Sequence, residues 1–321
     1  MGKLKSPAFL IILAFFAIYV IWGSTYLLNK IAVTELPPFM LASIRFMTAG
    51  ILIFIIAKLM KIKLSVSRKQ FINSIIAGFL FLSFGNGVVV WALKYVDSGF
   101  AALETAAQPL VVILLMRILE GKKIKAMSVI GIVLGMIGMF LLVGQKQIIN
   151  QEGTLLGMAM IFVCIISWGY GSLFVAKADL PPNFFVNTGY QMVTAGITLF
   201  FASLLFGEAW TYPTQWSQQV QLSMVLLVIF GSIVAFTSFN YLLRVVSPEK
   251  VATSSYVNPV IAMVVGWYFL DELITLQSVM AALVLLTGVY FINTKKRLVI
   301  YSRFTKRIKF RQGEVVIKKI E

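Results

Sequence analysis

Two charged side chains, Arg45 and Glu104, lie within segments that are otherwise apolar for about 20 residues. An unpaired charge inside a membrane costs at least ~2.5 kcal/mol even on the most lenient scale. Counted from the segment ends at about 1.5 Å per residue, the two groups lie at similar depth, so we expect an ion pair between them. Two interpretations of Glu104 follow. It is a protonation or ammonium-binding site tuned by Arg45, or half of a structural salt bridge.

An amide followed by a proline occurs twice inside apolar segments, at Gln108-Pro109 and at Asn258-Pro259. Proline has no N–H to donate to the carbonyl four residues earlier, so each pair predicts a helix kink with a freed acceptor. Gln108 follows Glu104 by four residues and shares its helix face. We expect both amides to line a central cavity. The alternative is a packing kink satisfied by a neighbouring helix.

Aromatic residues away from the segment ends give a second set of cavity candidates. Trp22 and Tyr26 lie one helical turn apart, and Trp168 occupies the matching place later in the chain. An interfacial belt explains such positions poorly, whereas a cavity wall could hold an apolar group, or an ammonium group by cation–π contact. The remaining cavity candidates are Asn86, Trp91, Gln191 and Tyr256.

The composition leaves few catalytic possibilities. The chain has no histidine and one cysteine, Cys164. It therefore lacks the commonest metal ligand and the usual proton carrier near neutral pH. Glu104 is the single carboxylate deep within a segment, so an intramembrane enzyme would lack a nucleophile and base. We expect no metal, no cofactor and no enzymatic activity.

The elements that must position these residues are ten apolar segments, which we call spans 1 to 10. Of the 321 residues, 60% are hydrophobic and 12% are charged. The segments are continuously apolar instead of alternating, which predicts helices and not a barrel. The predicted spans are 8–28, 38–57, 71–93, 99–116, 126–143, 154–176, 184–206, 221–243, 251–269 and 275–293.

The basic residues are distributed very unevenly around these spans. The net charge is +16, and 24 of the 28 Lys and Arg residues fall on the side that holds both termini. By the positive-inside rule, both termini are cytoplasmic in a multi-pass protein of a bacterial-type plasma membrane. Ten of the 24 lie in the tail 295–321, where attraction to anionic lipid explains them better than nucleic-acid binding. We therefore expect membrane lipids and a small-molecule substrate as partners, and no nucleic acid.

The chain contains one motif written twice. The interval from Trp22 to Gly50 equals that from Trp168 to Gly196, and Pro109 aligns with Pro259 later in each half. Each half holds five spans, an odd number, so the second copy enters the membrane in the opposite orientation. This predicts an all-α polytopic membrane protein in which ten transmembrane helices form two inverted five-helix repeats, 1–148 and 149–294, before a tail at 295–321. A duplicated scaffold without transport is the structural alternative.

Glycines in span 5 predict close helix packing. Gly131 and Gly135 are four residues apart and so share a face. That face can pack within the bundle or between two copies. The expected state is therefore a monomer or a homodimer.

Several motifs resemble those of EamA-type members of the drug/metabolite transporter superfamily. They are WGSTY from Trp22, Pro37-Pro38, Arg45-Phe46, GNG from Gly85, VSPEKVATSSYVNPV from Val246 and LDEL from Leu270. The resemblance covers residues 8–293. It implies ten helices in two inverted repeats, a central cavity lined mostly by the first four spans of each repeat, and export of small metabolites.

Together, the residues and the resemblance predict a secondary transporter that works by alternating access. Its expected substrates are amino acids, related compounds or drugs, moved outward across the plasma membrane. Proton coupling through Glu104 and simple facilitation both remain open. The alternative within the same superfamily is a translocase for lipids or lipid-linked sugars, which would need a cavity that opens sideways between helices.

Overall fold

The computed structural model describes residues 7–96, 101, 104–143, 153–270, 276–294, 309–311 and 314–316. The predicted repeat boundary at 148–149, the start of span 4 and most of the basic tail lie outside these residues. Each of the ten predicted spans contains helix within the described ranges, with turns at 85–86, 106–107 and 252–253. The all-α prediction for the membrane part is therefore confirmed.

The first repeat contains spans 1 to 5. Span 1 runs through Pro7–Phe16, Ala17–Ile21 and Trp22–Val33, span 2 is Pro38–Leu59, span 3 runs through Arg68–Gly78, Phe79–Phe84 and Gly87–Ala92, span 4 is described over Gln108–Glu120, and span 5 is Ala126–Val143. The middle pieces of spans 1 and 3 are π-helical.

The second repeat contains spans 6 to 10. Span 6 is Thr154–Lys177, span 7 is Phe184–Leu205, span 8 runs through Gln218–Leu226, Leu227–Val234 and Ala235–Val245, span 9 is Ser254–Leu270 after the short helix Pro248–Val251, and span 10 is Leu276–Asn293. A 3-10 turn, Pro213–Gln215, precedes span 8. The middle of span 8 is π-helical, as in span 3, its counterpart. In the tail, strands β1 (Lys309–Arg311) and β2 (Glu314–Val316) pair antiparallel.

Helix starts follow the local sequence. Pro38 opens span 2, where its missing N–H costs nothing. The Ser67 hydroxyl and the Gln70 side chain form a reciprocal capping box at span 3. The Asn183 carboxamide accepts hydrogen bonds from the first turn of span 7 at 2.9 and 3.2 Å. These caps fix where each helix leaves its loop.

Spans 2 and 7, which are counterparts, cross in opposite directions. A Cβ on Gly50 would meet Val193, and a Cβ on Gly196 would meet Met47. The Ser43 hydroxyl donates to the Gly196 carbonyl at 2.8 Å. Residues nearer the end of span 2 therefore contact residues nearer the start of span 7, so the two helices are antiparallel. This is the relation that two inverted copies require, and the inverted-repeat prediction is confirmed.

Spans 5 and 10 cross in the same way through the predicted glycine face. A Cβ on Gly131 would lie 2.6 Å from the Gly288 carbonyl oxygen, and a Cβ on Gly138 would lie 3.0 Å from the Ala281 carbonyl oxygen. Gly135 faces the ring of Tyr256 on span 9. The small residues therefore serve packing within the bundle, which was one of the two interpretations.

The loops that carry most basic residues lie together on one face of the bundle, which we call the basic face. Arg244 at the end of span 8 donates to the carbonyls of Ala178 and Leu180 after span 6, at 3.1 and 3.3 Å. Lys177 pairs with Glu120 at the end of span 4, at 2.6 Å. At the start of span 3, after the 2–3 loop, the Asn73 amide donates to the Asp179 carbonyl of the 6–7 loop at 2.8 Å. Loops 2–3, 4–5, 6–7 and 8–9 thus share one face, as an alternating helix order requires.

The opposite face is closed by two carboxylates that bind helix starts. Glu208, after span 7, accepts from the backbone N–H groups of Phe39 and Met40 at 3.0 and 2.8 Å. Glu35, after span 1, accepts from the Ser217 N–H at 3.0 Å. The hydrogen bonds from Ser217 lower the pKa of the Glu35 carboxyl below its usual range. Negative charge is favourable at a helix N-terminus, so these loops tie the repeats together.

The outer surface of the bundle is apolar. Leu59, Leu155 and Leu205 are 77%, 79% and 84% exposed. So large an apolar exposure is rare on a soluble monomer. The apolar outer surface is therefore suited to contact with the hydrocarbon of a membrane.

Candidate functional site

A cavity of about 130 Å³ lies between the two repeats. Spans 1, 2, 3, 4, 6, 8 and 9 contribute to its wall. Seven predicted residues line it: Trp22, Tyr26, Arg45, Asn86, Gln108, Trp168 and Asn258. The structure therefore brings most of the predicted candidates to one place, although they are spread over more than 230 positions of the chain.

Two tryptophans, one from each repeat, meet in the cavity wall. The rings of Trp22 and Trp168 are 5.7 Å apart and nearly perpendicular, and both pack against Phe239, at 5.1 and 5.2 Å. The Trp22 indole N–H donates to the Gly231 carbonyl in the π-helical part of span 8, at 3.2 Å. Such edge-to-face rings form a rigid apolar wall.

Gly85 permits this wall to approach span 3. A Cβ at Gly85 would collide with the indole ring of Trp168. The next residue, Asn86, lines the cavity, and its Oδ1 is buried without a hydrogen-bond partner among the described residues. An unpaired buried acceptor costs about 1–3 kcal/mol. A ligand donor in the cavity would remove that cost.

Arg45 is the charged group in the cavity wall. Its side chain is held by neutral oxygens: Nε donates to Ser232 Oγ at 2.8 Å, and Nη1 donates to Asn29 Oδ1 at 3.3 Å. The guanidinium carbon lies 4.9 Å from the centre of the Phe46 ring. Arg45 is only 3% exposed. Its positive charge is therefore buried and hydrogen-bonded, yet not neutralised by these neighbours.

The expected ion pair between Arg45 and Glu104 is wrong. The ion pairs among the described residues involve only Glu120 and Glu249 as acids. Glu104 is not among the side chains that line the cavity. Its Oε2 is buried without a hydrogen-bond partner within the described ranges. Arg45 and Glu104 lie at similar depth along their helices, but their side chains do not face each other.

The two proline sites are not equivalent. Pro259 lies inside the helix Ser254–Leu270, as a kink requires. The helix that contains Pro109 begins only at Gln108, after a turn at 106–107. Pro109 therefore occupies a first-turn position, where proline is tolerated without a lost hydrogen bond. The predicted kink at Pro109 is a helix break instead.

Asn258 joins span 9 to the π-helical part of span 1. With its Nδ2 directed at the carbonyl oxygens, the amide donates to Ser254 at 3.0 Å and to Ile18 and Tyr19 at 3.1 Å each. π-Helical segments often mark functional positions. Nearby, the Tyr26 and Thr105 hydroxyls are hydrogen-bonded at 3.0 Å, which joins spans 1 and 4 at the cavity.

Three predicted cavity residues lie elsewhere. Gln191 is fully buried between spans 7 and 8, where it donates to Asn187 at 2.9 Å and accepts from Asn240 at 3.2 Å. Tyr256 packs against Gly135, away from the cavity. Trp91 packs on the rings of Phe39 and Phe206, at 5.4 and 5.1 Å. Protein neighbours thus surround all three side chains, although the Tyr256 hydroxyl is buried without a hydrogen-bond partner among the described residues.

Several cavity residues were missed by the sequence analysis. They are small and polar, and include Thr25, Asn29, Thr105, Ser232, Ser254 and Ser255. A signal existed for two of them, because Trp22, Thr25, Tyr26 and Asn29 recur at the three- and four-residue spacing of one helix face. The same spacing applies to Thr105, which precedes Gln108 by three residues, and to Ser255 and Ser254, which precede Asn258 by three and four, whereas Ser232 has no such pattern.

Comparisons with known proteins agree with this architecture. The model of the EamA-like transporter family matches twice, over residues 9–144 and 155–294. The chain is 37% identical over 254 residues to the "uncharacterized inner membrane transporter YedA" of Escherichia coli (strain K12), covering 79% of this chain and 80% of the relative. It is 25% identical over 287 residues to a "probable amino-acid metabolite efflux pump" of the same strain, covering 85% and 91%. A solved crystal structure has the same fold, with a TM-score of 0.71 at 19% identity, covering 88% of this chain and 95% of that one.

Proposed function

Because the chain belongs to the EamA-like transporter family, we propose that it exports amino acids or related metabolites across the bacterial plasma membrane by alternating access. Two relatives support this proposal: one is named an inner membrane transporter and another a probable amino-acid metabolite efflux pump. In this orientation the basic face is cytoplasmic, as the distribution of Lys and Arg favours.

The observation that carries the proposal is the buried charge of Arg45. Its neighbours Ser232 and Asn29 accept hydrogen bonds but supply no negative charge. Burying a charge is costly unless it is paired. A substrate carboxylate in the cavity would neutralise the guanidinium and accept its remaining N–H groups, as in other charge-assisted pairs. The site therefore favours substrates that carry a carboxylate.

Other residues of the cavity wall suit the ammonium group and the side chain of an amino acid. The Oδ1 of Asn86, which has no hydrogen-bond partner among the described residues, is a neutral acceptor that could receive a substrate ammonium. Trp22 and Trp168 offer ring faces or edges to an ammonium group or an apolar side chain. A zwitterion could thus satisfy Arg45 and Asn86 at once.

Glu104 is the candidate for proton coupling. Its carboxyl has a buried oxygen without a partner among the described residues, and the next residue along the chain, Thr105, lines the cavity. A carboxyl can take up and release a proton, which an amide cannot. Uphill export would then use the inward proton gradient. If Glu104 does not titrate, the protein is a facilitator.

Counterflow in proteoliposomes tests the proposal. Vesicles containing the purified protein are loaded with an unlabelled candidate, and uptake of the labelled compound is followed. Each amino acid is compared with its carboxamide. We expect exchange of one or more amino acids and weak exchange of the amides. Exchange of organic cations alone would contradict the proposal, and movement of lipid analogues without solute exchange would favour the lipid-translocase alternative.

A further inference from the structure

A second cavity, of about 420 Å³, lies on the basic face, away from the central one. Its wall comes from both repeats. The end of span 4 and the 4–5 loop supply one side, and the short helix Pro248–Val251 with Ser247 supplies the other. None of its lining residues is shared with the central cavity.

The charge in this second cavity is strongly positive. Four lysines line it, Lys122, Lys123, Lys125 and Lys250, against a single acidic lining residue, Glu249. The Lys125 ammonium is 3.8 Å from that carboxylate, at the long end for an ion pair. Lys122 pairs with a different acid, Glu120, at 2.8 Å.

Two of these lysines have no ion-pair partner in the part of the chain that the structure describes. Neither Lys123 nor Lys250 forms one there. The cavity therefore holds more positive charge than its acids neutralise. Two hydroxyls, from Ser128 and Ser247, lie in the same wall and can donate to an anionic oxygen.

The remaining wall is apolar. Ile113 and Met116 come from span 4, and Ile124 from the loop after it. On the same stretch, Ile118 and Leu119 are 74% and 54% exposed on the outer surface of the bundle. A basic, hydroxyl-lined head region thus adjoins an apolar path at the membrane boundary. That combination suits an amphiphile whose head is an anion.

We propose that this second cavity binds the phosphate group of an anionic lipid headgroup from the surrounding leaflet. Basic pockets between helix ends bind such headgroups through charge and hydrogen bonds, while the chains remain in hydrocarbon. Lys123 and Lys250 approach the phosphate from opposite repeats. The bound lipid therefore stabilises the contact between the 4–5 loop and the helix that leads into span 9.

This position links the lipid to the central cavity. The helix Pro248–Val251 is separated from span 9 only by the turn at 252–253. Span 9 then carries the cavity residues Ser254, Ser255 and Asn258. Span 4, which carries Gln108, ends at the same lipid site. A headgroup held between the two ends therefore restrains two spans that must move relative to each other during alternating access.

The test compares the thermal stability of matched variants in nanodiscs. The double variant Lys123→Gln/Lys250→Gln removes the two lining ammonium groups that have no acidic partner among the described residues. The control Lys63→Gln/Lys69→Gln removes two exposed lysines of the basic face outside the cavity. Each protein is measured in phosphatidylcholine alone and in phosphatidylcholine with phosphatidylglycerol. We expect phosphatidylglycerol to raise the unfolding midpoint of the wild type and the control, and the cavity variant to lose at least half of that rise.

Soluble anions separate the two possible sources of phosphate. Inorganic phosphate and glycerol 3-phosphate are added to the proteins in phosphatidylcholine alone. If they stabilise the wild type as much as phosphatidylglycerol does, the lipid assignment is overturned. An undiminished phosphatidylglycerol response in the cavity variant overturns the site itself. If the double variant does not fold, the single variants Lys123→Gln and Lys250→Gln decide by the same criterion. Because unfolding is measured and not transport, the result is independent of the proposed substrate.

Discussion

Replacing Gly288 with alanine tests the crossing of spans 5 and 10. The added Cβ would lie 2.7 Å from the Gly131 carbonyl oxygen and 3.0 Å from the Gly135 amide nitrogen. Both are backbone atoms, which cannot rotate away as a flexible side chain can. The helices must therefore separate, and overpacking of this kind costs about 1–3 kcal/mol. Since the crossing pairs the two repeats, the loss falls on the whole bundle.

The assay for Gly288→Ala is thermal unfolding in detergent, followed by tryptophan fluorescence. Val133→Ile is the matched control, because it adds one carbon to span 5 at a side chain that is 49% exposed on the outer surface. We expect a fall of several degrees for Gly288→Ala and almost none for the control. Adding Gly131→Ala to Gly288→Ala should lower the unfolding midpoint by less than Gly131→Ala does alone, since both methyl groups separate the same two helices. An unfolding midpoint for Gly288→Ala equal to that of the wild type would refute the tight crossing.

Three further predictions concern polar groups. Glu208→Gln removes the negative charge at the start of span 2 and should lower the free energy of unfolding by about 0.5–2 kcal/mol. A thermal unfolding midpoint equal to that of the wild type would contradict the role of Glu208 as a helix cap. Glu104→Gln should leave the protein folded but make its transport independent of pH, so unchanged pH dependence in proteoliposomes would exclude Glu104 as the proton carrier. Asn258→Leu should lower the free energy of unfolding by about 1–3 kcal/mol, because two carbonyls of span 1 lose their donor. The control Ser255→Ala should have a smaller effect, since that hydroxyl binds within its own turn. Equal losses in the two variants would argue against the hydrogen bonds from Asn258 to span 1.

The spans, their inversion and the main cavity wall could be predicted from sequence. Apolar length determines a span, because hydrocarbon requires every backbone group to be paired within the helix. The duplicated motif places Trp22 and Trp168 at matching positions, and the two rings meet in the cavity. Gln108 and Asn258 also line it, as their shared place in the repeat indicated.

Errors arose where the direction of a side chain around its helix decided the outcome. Tyr256 is two residues from Asn258, and residues so spaced do not share a helix face. Asn258 therefore points to span 1, while Tyr256 points to span 5. Gln191 lies 146 positions after Arg45, as Trp168 does after Trp22, and so occupies the matching place in the second repeat. The two side chains nevertheless have different partners. Gln191 is held by two asparagines, whereas Arg45 is held at the cavity.

The ion-pair prediction failed for a related reason. Depth along a helix can be counted from sequence, but the angle between two helices and the rotation of each cannot. The partners of Arg45 are Asn29 and Ser232, neutral residues that gave no charge signal. Such small polar residues are common in membrane helices as packing contacts. Only their convergence in space distinguishes a binding wall from ordinary packing.

The central claim is that Arg45 receives the carboxylate of the transported compound, and one competition experiment tests it most directly. For an amino acid that shows counterflow, inhibition by the acid and by its carboxamide is compared in the wild type, in Arg45→Gln and in the cavity-lining control Ser172→Ala. A charge-assisted pair of about 1.5–3 kcal/mol predicts a preference for the acid of roughly 10- to 150-fold. We expect the wild type and Ser172→Ala to show this preference and Arg45→Gln to lose it. An Arg45→Gln protein that still prefers the acid would contradict the claim.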